Sequence, residues 1–176
     1  ALGKLGGNEL NYSSDIDVFM VSGDGFTDTG LPSLEEKARR AVALIEEFTA
    51  DGQAWRVDTK IRPEGSGPLV RPLAQCRSYY ETRAVGWEFQ ALLKARCVAG
   101  DAAVGESFLS MVRPLVWRTD RDAGALLAEV RGMKSRIESQ LAEKRRDQAN
   151  VKLGPGGIRD IEFITQFMQL HHGPNN

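Results

Sequence analysis

The sequence predicts an α+β fold: a small mixed sheet with helices, followed by a helical region. Every segment with strand character falls before about residue 70, the connections between these segments look hairpin-like, and helical periodicity takes over after Arg71. With no βαβ alternation, a doubly wound sheet is not expected. The expected division is an α/β core over 1–70 and a helical region over 71–176 packing on it.

Residues 1–5 read as the end of a strand and 6–14 as a turn rich in Gly, Asn and Ser. Residues 15–22 read as an apolar strand, followed by a loop from Gly23 to Pro32. Ser33 is placed to cap a helix with Glu35 and Glu36 in its first turn. Its apolar positions Ala38, Ala41, Val42, Ile45 and Phe48 keep helical spacing to about Thr49. Asp51-Gly52 is a turn, and Gln53 to Ile61 alternates as a strand through Trp55, Val57 and Ile61. Arg62 to Pro68 ends the strand in a stiff, glycine-punctuated loop.

The helical part begins with Pro72 to Arg83 and Gly86 to Val98. Asp101 is placed to cap a third helix ending near Trp117. Residues 122–146 carry the clearest stripe, with Ala123, Leu126, Leu127, Val130, Met133, Ile137 and Leu141 on one side. A glycine-rich break at 152–157 leads to a last helix, Ile158 to His171, apolar on most sides and therefore expected to be buried between others.

The 176 residues are 41% hydrophobic and 27% charged, ordinary values for a globular chain with a sizeable core. The net charge of −1 supplies no bulk field toward nucleic acid or membrane. Cys76 and Cys97 have neither metal-ligand spacing nor a disulfide framework, which favours a reducing cytoplasm. No signal peptide or membrane-length apolar run is seen. A start at Ala1 inside apparent structure, and an end at Asn176 just past a helix, read as an excised piece of a longer protein.

The chemistry concentrates at Asp15 and Asp17, one residue apart at the mouth of the first full strand and just after Gly6 and Gly7. Strand side chains alternate, so both carboxylates point to one side with Cα atoms about 6–7 Å apart. Such a pair can hold Mg²⁺ against nucleotide phosphates, with Gly6, Gly7 and Ser14 as candidates for contacting those phosphates. The ordinary alternative is a polar strand end. Asp58 lies on the second strand, sharing a face with Arg56, Lys60 and Arg62. Beside the first strand it would complete a three-carboxylate cluster able to position two metal ions; otherwise it pairs with Arg56 or Lys60.

Further candidates are less sharp. Lys94 and Arg96 could bind phosphate or carry transition-state charge, or be solvated or paired with Glu88. Lys152 with Gly154, Gly156 and Gly157 could make an anion site, or a tight interhelical turn. Arg159 and Glu162 stand three residues apart and can pair with each other. Asp160 is a candidate orienting group and Arg62 a supporting one. His171 and His172 at a helix C-terminus are explained by the helix dipole.

Four blocks carry a resemblance. The run Gly3 to Asp17, with Asn11-Tyr12-Ser13-Ser14-Asp15-Ile16-Asp17, resembles the signature of the bifunctional glutamine synthetase adenylyltransferase/adenylyl-removing enzymes. Arg56-Val57-Asp58-Thr59-Lys60-Ile61-Arg62-Pro63-Glu64-Gly65 is similar to that family's second block, Trp87 to Arg96 to its third, and Lys152 to Phe163 to its fourth. The blocks stand in order and span nearly the whole chain. Lys60 and Ile61 depart mildly, standing where the family more often has Arg and Leu.

The resemblance implies a polymerase-beta-like nucleotidyltransferase fold, with Asp15, Asp17 and Asp58 as catalytic metal ligands for two Mg²⁺ ions. It implies a bacterial cytoplasmic enzyme in the control of nitrogen assimilation, acting on glutamine synthetase. Inorganic phosphate and ADP, or ATP, would be its small-molecule partners, with a PII-type signalling protein acting through the full-length enzyme and neither nucleic acid nor membrane as partner. The fourth block and Arg113 to Arg118 look more like the N-terminal, adenylyl-removing domain. Removal of AMP from a tyrosine by phosphorolysis is thus expected. The alternatives are the adenylylating domain, using ATP, and a non-catalytic nucleotide-binding regulatory module.

Overall fold

Short strands set the frame of the structure, a computed structural model that describes residues 1–25, 32–143 and 151–173. Strand β1 (Ile16–Asp17) pairs in parallel with β5 (Val57–Asp58), and β2 (Met20–Ser22) pairs in parallel with β6 (Val70–Pro72). Strands β3 (Phe48–Thr49) and β4 (Gly52–Gln53) form the one antiparallel pair among the described residues, around a turn in which Gly52 takes φ +99°. The fold is α+β, as expected, with three two-stranded sheets rather than one continuous sheet among the described residues.

The parallel pairings overturn the hairpin-like connections expected between the strands. Helix α2 (Leu34–Glu46) lies between β2 and β5, and the chain crosses over it to bring β5 beside β1. The reason is hydrogen bonding at long range. Ile16 N–H donates to the Arg56 carbonyl at 2.9 Å and Val18 N–H to that of Asp58 at 3.0 Å. Helix α2 begins as expected: the Ser33 hydroxyl accepts Glu36 N–H at 3.2 Å, and the Glu36 carboxylate accepts Ser33 N–H at 2.7 Å. It ends three residues before Thr49, because Phe48 and Thr49 are taken into the β3–β4 pair. Glu35 reaches out of its first turn to accept the N–H groups of Leu69 and Val70, which fixes β6.

Residues 1–5 are not a strand end throughout. Leu2 is extended and donates its N–H to the Asp17 carbonyl at 2.8 Å, but a four-residue helix α1 (Gly3–Gly6) follows at once. Strand 15–22 is interrupted between Asp17 and Met20, and strand 53–61 survives only at Gln53 and at Val57–Asp58. Helices α3 (Leu73–Thr82) and α5 (Ala102–Val116) match expectation, the latter capped by the Asp101 carboxylate on Ala103 N–H at 2.7 Å. Helix α4 (Gly86–Leu92) stops six residues short of Val98, so Lys94 and Arg96 lie beyond it.

The chain forms two compact units. The first holds residues 1–84 and 94–115, the second 85–93 and 116–176. In the first, Leu2, Ile16, Ala38, Cys76, Tyr80, Phe108 and Val112 are buried, with Phe19 and Phe108 meeting edge to face at 5.2 Å. In the second, α4, α6 (Ala123–Glu143) and α7 (Ile158–His172) bury Phe89, Leu92, Leu126, Val130, Phe163 and Leu170. The helix predicted for 122–146 runs as far as Glu143, with Leu126 and Val130 of its stripe buried; residues 144–150 and the loop residues 26–31 lie outside the described residues.

Helix α7 corrects one expectation. Phe163 and Leu170 are its buried residues, while Ile161 and Ile164 are 64% and 65% exposed. One face suffices to pack on α4 and α6, so the helix is not enclosed. No helix of the described residues is long and apolar enough to cross a membrane.

Candidate active site

The parallel register decides the geometry of the carboxylates. Asp17 and Asp58 are register partners on β1 and β5, so both side chains leave the same face of the pair. Ile16, between the two aspartates of the first strand, is buried on the opposite face beside Val57. Asp15 precedes Asp17 by two residues and belongs to the same side as Asp17 by alternation. Sequence alternation had left the placement of Asp58 conditional on the strands lying together, and they do.

Each aspartate has a definite local setting. Asp15 accepts from the Arg56 Nε at 2.5 Å, and the same guanidinium donates to the Ser13 carbonyl at 3.0 Å. Both side chains are about half exposed, so the pair itself adds little to stability. Asp58 accepts the Lys60 N–H at 2.7 Å. Asp17 lies over Gly3, whose φ is +52° and where a Cβ would strike the Asp17 carboxylate. Glycine at position 3 therefore leaves the room this carboxylate occupies.

The turn before β1 is built around Asn11, a residue that sequence reasoning did not single out. Its side-chain oxygen accepts from the Ser14 hydroxyl and from Lys4 Nζ, the latter at 3.1 Å. Asn8 and Ser13 both adopt left-handed backbone, with φ of 58° and 61°. An Asn and two Ser in a turn were the available signal.

Gly6 and Gly7, expected to admit phosphate, face the protein. A Cβ on Gly6 would meet the carbonyls of Lys94 and Ala1, and one on Gly7 would stand 2.9 Å from the Lys94 side chain. Arg96 donates from Nε to the Gly6 carbonyl at 3.0 Å and from its terminal nitrogen to the Leu5 carbonyl at 2.7 Å, closing the last turn of α1. Lys94 pairs with Glu9 at 2.5 Å. Glu88, its expected partner, belongs to the other unit, is buried, and accepts the Val85 N–H at 3.0 Å. Helical spacing from Glu88 to Lys94 fails because α4 has ended. Arg62 is buried and clamps its own loop, donating to the Thr59 carbonyl at 2.6 Å and the Gly67 carbonyl at 2.9 Å.

The remaining candidates belong to the second unit. Asp160 accepts Lys134 Nζ at 2.7 Å and the Gly156 N–H at 2.8 Å, tying the glycine-rich loop to α6. These bonds, with that from Lys134 the larger influence, hold its carboxyl below the ordinary range. Arg159 and Glu162 stand 3.8 Å apart at i,i+3. Lys152 accepts the Arg159 N–H on its carbonyl at 2.9 Å, and Gly157 packs against the carbonyls of Val151 and Gly154.

Among the described residues no group of three or more His, Cys, Asp or Glu side chains is gathered to hold a metal ion. The donor set nevertheless fits Mg²⁺ at its minimum. That ion takes one or two carboxylates and completes its shell with water and substrate phosphates. Asp17 and Asp58 offer such a pair in register, with Gly3 leaving space above Asp17. Asp15 is held by Arg56.

An α+β fold with paired aspartates on adjacent strands beside a glycine turn defines a nucleotidyltransferase-like domain. Comparison with known proteins narrows the class. The family model described as glutamate-ammonia ligase adenylyltransferase matches residues 1–111, and one described as GlnD PII-uridylyltransferase matches residues 131–176. The chain belongs to the glutamate-ammonia ligase adenylyltransferase family, a family of nucleotidyltransferase enzymes. Among its relatives, the bifunctional glutamine synthetase adenylyltransferase/adenylyl-removing enzyme of Cutibacterium acnes is 43% identical over 98% of the chain. Those of Streptomyces coelicolor and Streptomyces avermitilis are 44% and 45% identical, again over 98%. The chain spans 18% of the length of each of these three relatives.

Proposed function

We propose that this chain carries the adenylyl-removing site of such an enzyme, releasing AMP from a tyrosine of adenylylated glutamine synthetase by phosphorolysis. The observation that carries the reading is the Asp17–Asp58 register on β1 and β5, with Asp15 on the same side. Phosphate attacks phosphorus, the bond to the tyrosyl oxygen breaks, and ADP leaves with the free tyrosine. Because the nucleophile is already an anion at neutral pH, the chain need not supply a strong base. The leaving phenol has a parent pKa near 10, a fair leaving group once its developing charge is shared.

Asp17 and Asp58 would hold Mg²⁺, with Asp15 as a third ligand once it exchanges Arg56. The ion supplies charge neutralisation at the phosphoryl group and at the attacking and leaving oxygens. Arg56, released from Asp15, stays on the carboxylate face as a cation available to phosphate. Arg96 and Lys94 act one step back. By closing α1 and gripping Glu9, they fix the turn from which β1 departs. Glutamine synthetase is the proposed protein substrate, and a PII-type protein a proposed partner of the longer enzyme.

The same carboxylates would serve attachment of AMP from ATP, so direction rests on the likeness of Asn11–Asp17, Arg113–Arg118 and Lys152–Phe163 to the removing domain. Two incubations separate the directions. Adenylylated glutamine synthetase plus phosphate should yield ADP, whereas unmodified glutamine synthetase plus ATP should incorporate no AMP. Incorporation without ADP release would assign the chain to attachment. Nucleotide binding without turnover in either, with turnover also missing from the full-length parent, would make it a regulatory module.

A further inference from the structure

The loop that follows Asp58 opens onto a cavity of about 180 Å³ with a different chemistry from the carboxylate face. Its lining includes Glu64, Arg71, Gln75, Cys76, Tyr79 and Arg83, all in the first unit. Arg71 stands on β6 and is nearly buried; Arg83 follows α3, with its guanidinium 5.0 Å over the Tyr79 ring. Glu64 bridges them, at 3.2 Å from Arg71 and 2.5 Å from Arg83. Two guanidiniums against one carboxylate leave a net positive charge in the cleft.

Two further observations show that Glu64 only partly answers that charge. Arg71 Nε is buried with no hydrogen-bond partner, although buried donors are nearly always satisfied. Glu64 itself takes φ +66°, a left-handed backbone uncommon outside glycine, between Pro63 and a left-handed Gly65. Its carboxyl is held below the ordinary range, chiefly by the charge of Arg83, so it is anionic at neutral pH. Cys76 forms an inert floor: it is fully buried, and burial pushes its thiol up to about 11.

We propose that this cleft binds a small oxyanion, a phosphoryl or carboxylate group, on the guanidiniums of Arg71 and Arg83 in place of the Glu64 carboxylate. Planar guanidiniums suit both groups through paired N–H···O bonds, and an incoming anion can also take the orphaned Arg71 Nε. The volume admits such a group with room to spare. The site stands independently of the nucleotidyl-transfer reading, since it uses none of the three aspartates.

Calorimetric titration of the full chain in EDTA, at constant ionic strength, tests it with inorganic phosphate in one arm and succinate in the other. Glu64→Gln removes the internal competitor and should tighten binding about tenfold, whereas Arg71→Gln and Arg83→Gln should each weaken it at least about tenfold. Asp17→Asn should leave it unchanged, which separates this cleft from the carboxylate face. Should Arg71→Gln fail to fold by circular dichroism, the more exposed Arg83 carries the test. Binding of phosphate alone identifies a phosphoryl site and binding of succinate a carboxylate site. The proposal is overturned if neither binds the Glu64→Gln protein, or if Arg83→Gln binds as tightly as wild type.

Discussion

Asp17 and Asp58 are cross-strand partners, brought together over forty residues of intervening chain by the parallel pairing of β1 and β5. Had the second strand slipped by one residue, Asp58 would face the side on which Ile16 is buried. Register, more than composition, therefore makes a carboxylate face here, and the flanking backbone bonds from Ile16 and Val18 set that register.

Arg56 holds Asp15 out of any shared ligand set. Replacing it, as Arg56→Gln, should strengthen Mn²⁺ binding a few-fold, read by electron paramagnetic resonance with Mn²⁺ standing for Mg²⁺. Stability should change by no more than about 1 kcal/mol, since the pair is half exposed. Unchanged or weaker Mn²⁺ binding would remove Asp15 from the cation site.

Gly6 is hemmed in by backbone on two sides, with the Ala1 carbonyl 3.0 Å from where a Cβ would sit and the Lys94 carbonyl nearer still. Neither neighbour is a flexible side chain. Gly6→Ala should cost about 1–3 kcal/mol in chemical denaturation. Wild-type stability would mean that segment 94–96 can move aside.

Arg96 serves two carbonyls with one planar fork. Arg96→Lys retains the charge and loses that geometry, so it should still destabilise by about 1.5–3 kcal/mol. If the lysine variant melts with wild type, charge alone explains the contact.

Asp160 supplies a pH signature. Its carboxyl is lowered, first by the bond from Lys134 and then by that from Gly156 N–H. Its contribution is thus complete above the ordinary carboxylate range and fades as pH falls through the lowered value. The stability gap between wild type and Asp160→Asn, measured by denaturant melts, should be constant from pH 7 to about 5 and shrink below about 4. A gap independent of pH would show that the charge is not what Asp160 contributes.

What could be read from the sequence was local. The Ser33 cap, the Asp101 cap and the shared face of Asp15 and Asp17 depend on residues within four positions of one another. The alternation around Asp58 correctly gave its face, but not the parallel sense of its partner, which is set by atoms forty residues away. Strand β6 went unseen because three residues between Pro68 and a helix carry no period. Arg96 was illegible for a different reason: its acceptors are backbone carbonyls of Leu5 and Gly6, and carbonyls leave no mark in sequence. Glu64 was hidden in a loop that read only as stiff, and Arg71 in the unseen β6.

The carboxylate pair is tested most directly by phosphate-dependent ADP release from adenylylated glutamine synthetase, at saturating Mg²⁺. Wild type is compared with Asp17→Asn and Asp58→Asn, with folding checked by circular dichroism. Both variants should keep wild-type spectra and lose at least about 100-fold in rate, the scale of removing one group that stabilises transition-state charge. A folded Asp17→Asn or Asp58→Asn protein that releases ADP within a few-fold of wild type would contradict the assignment of this face as the reaction centre.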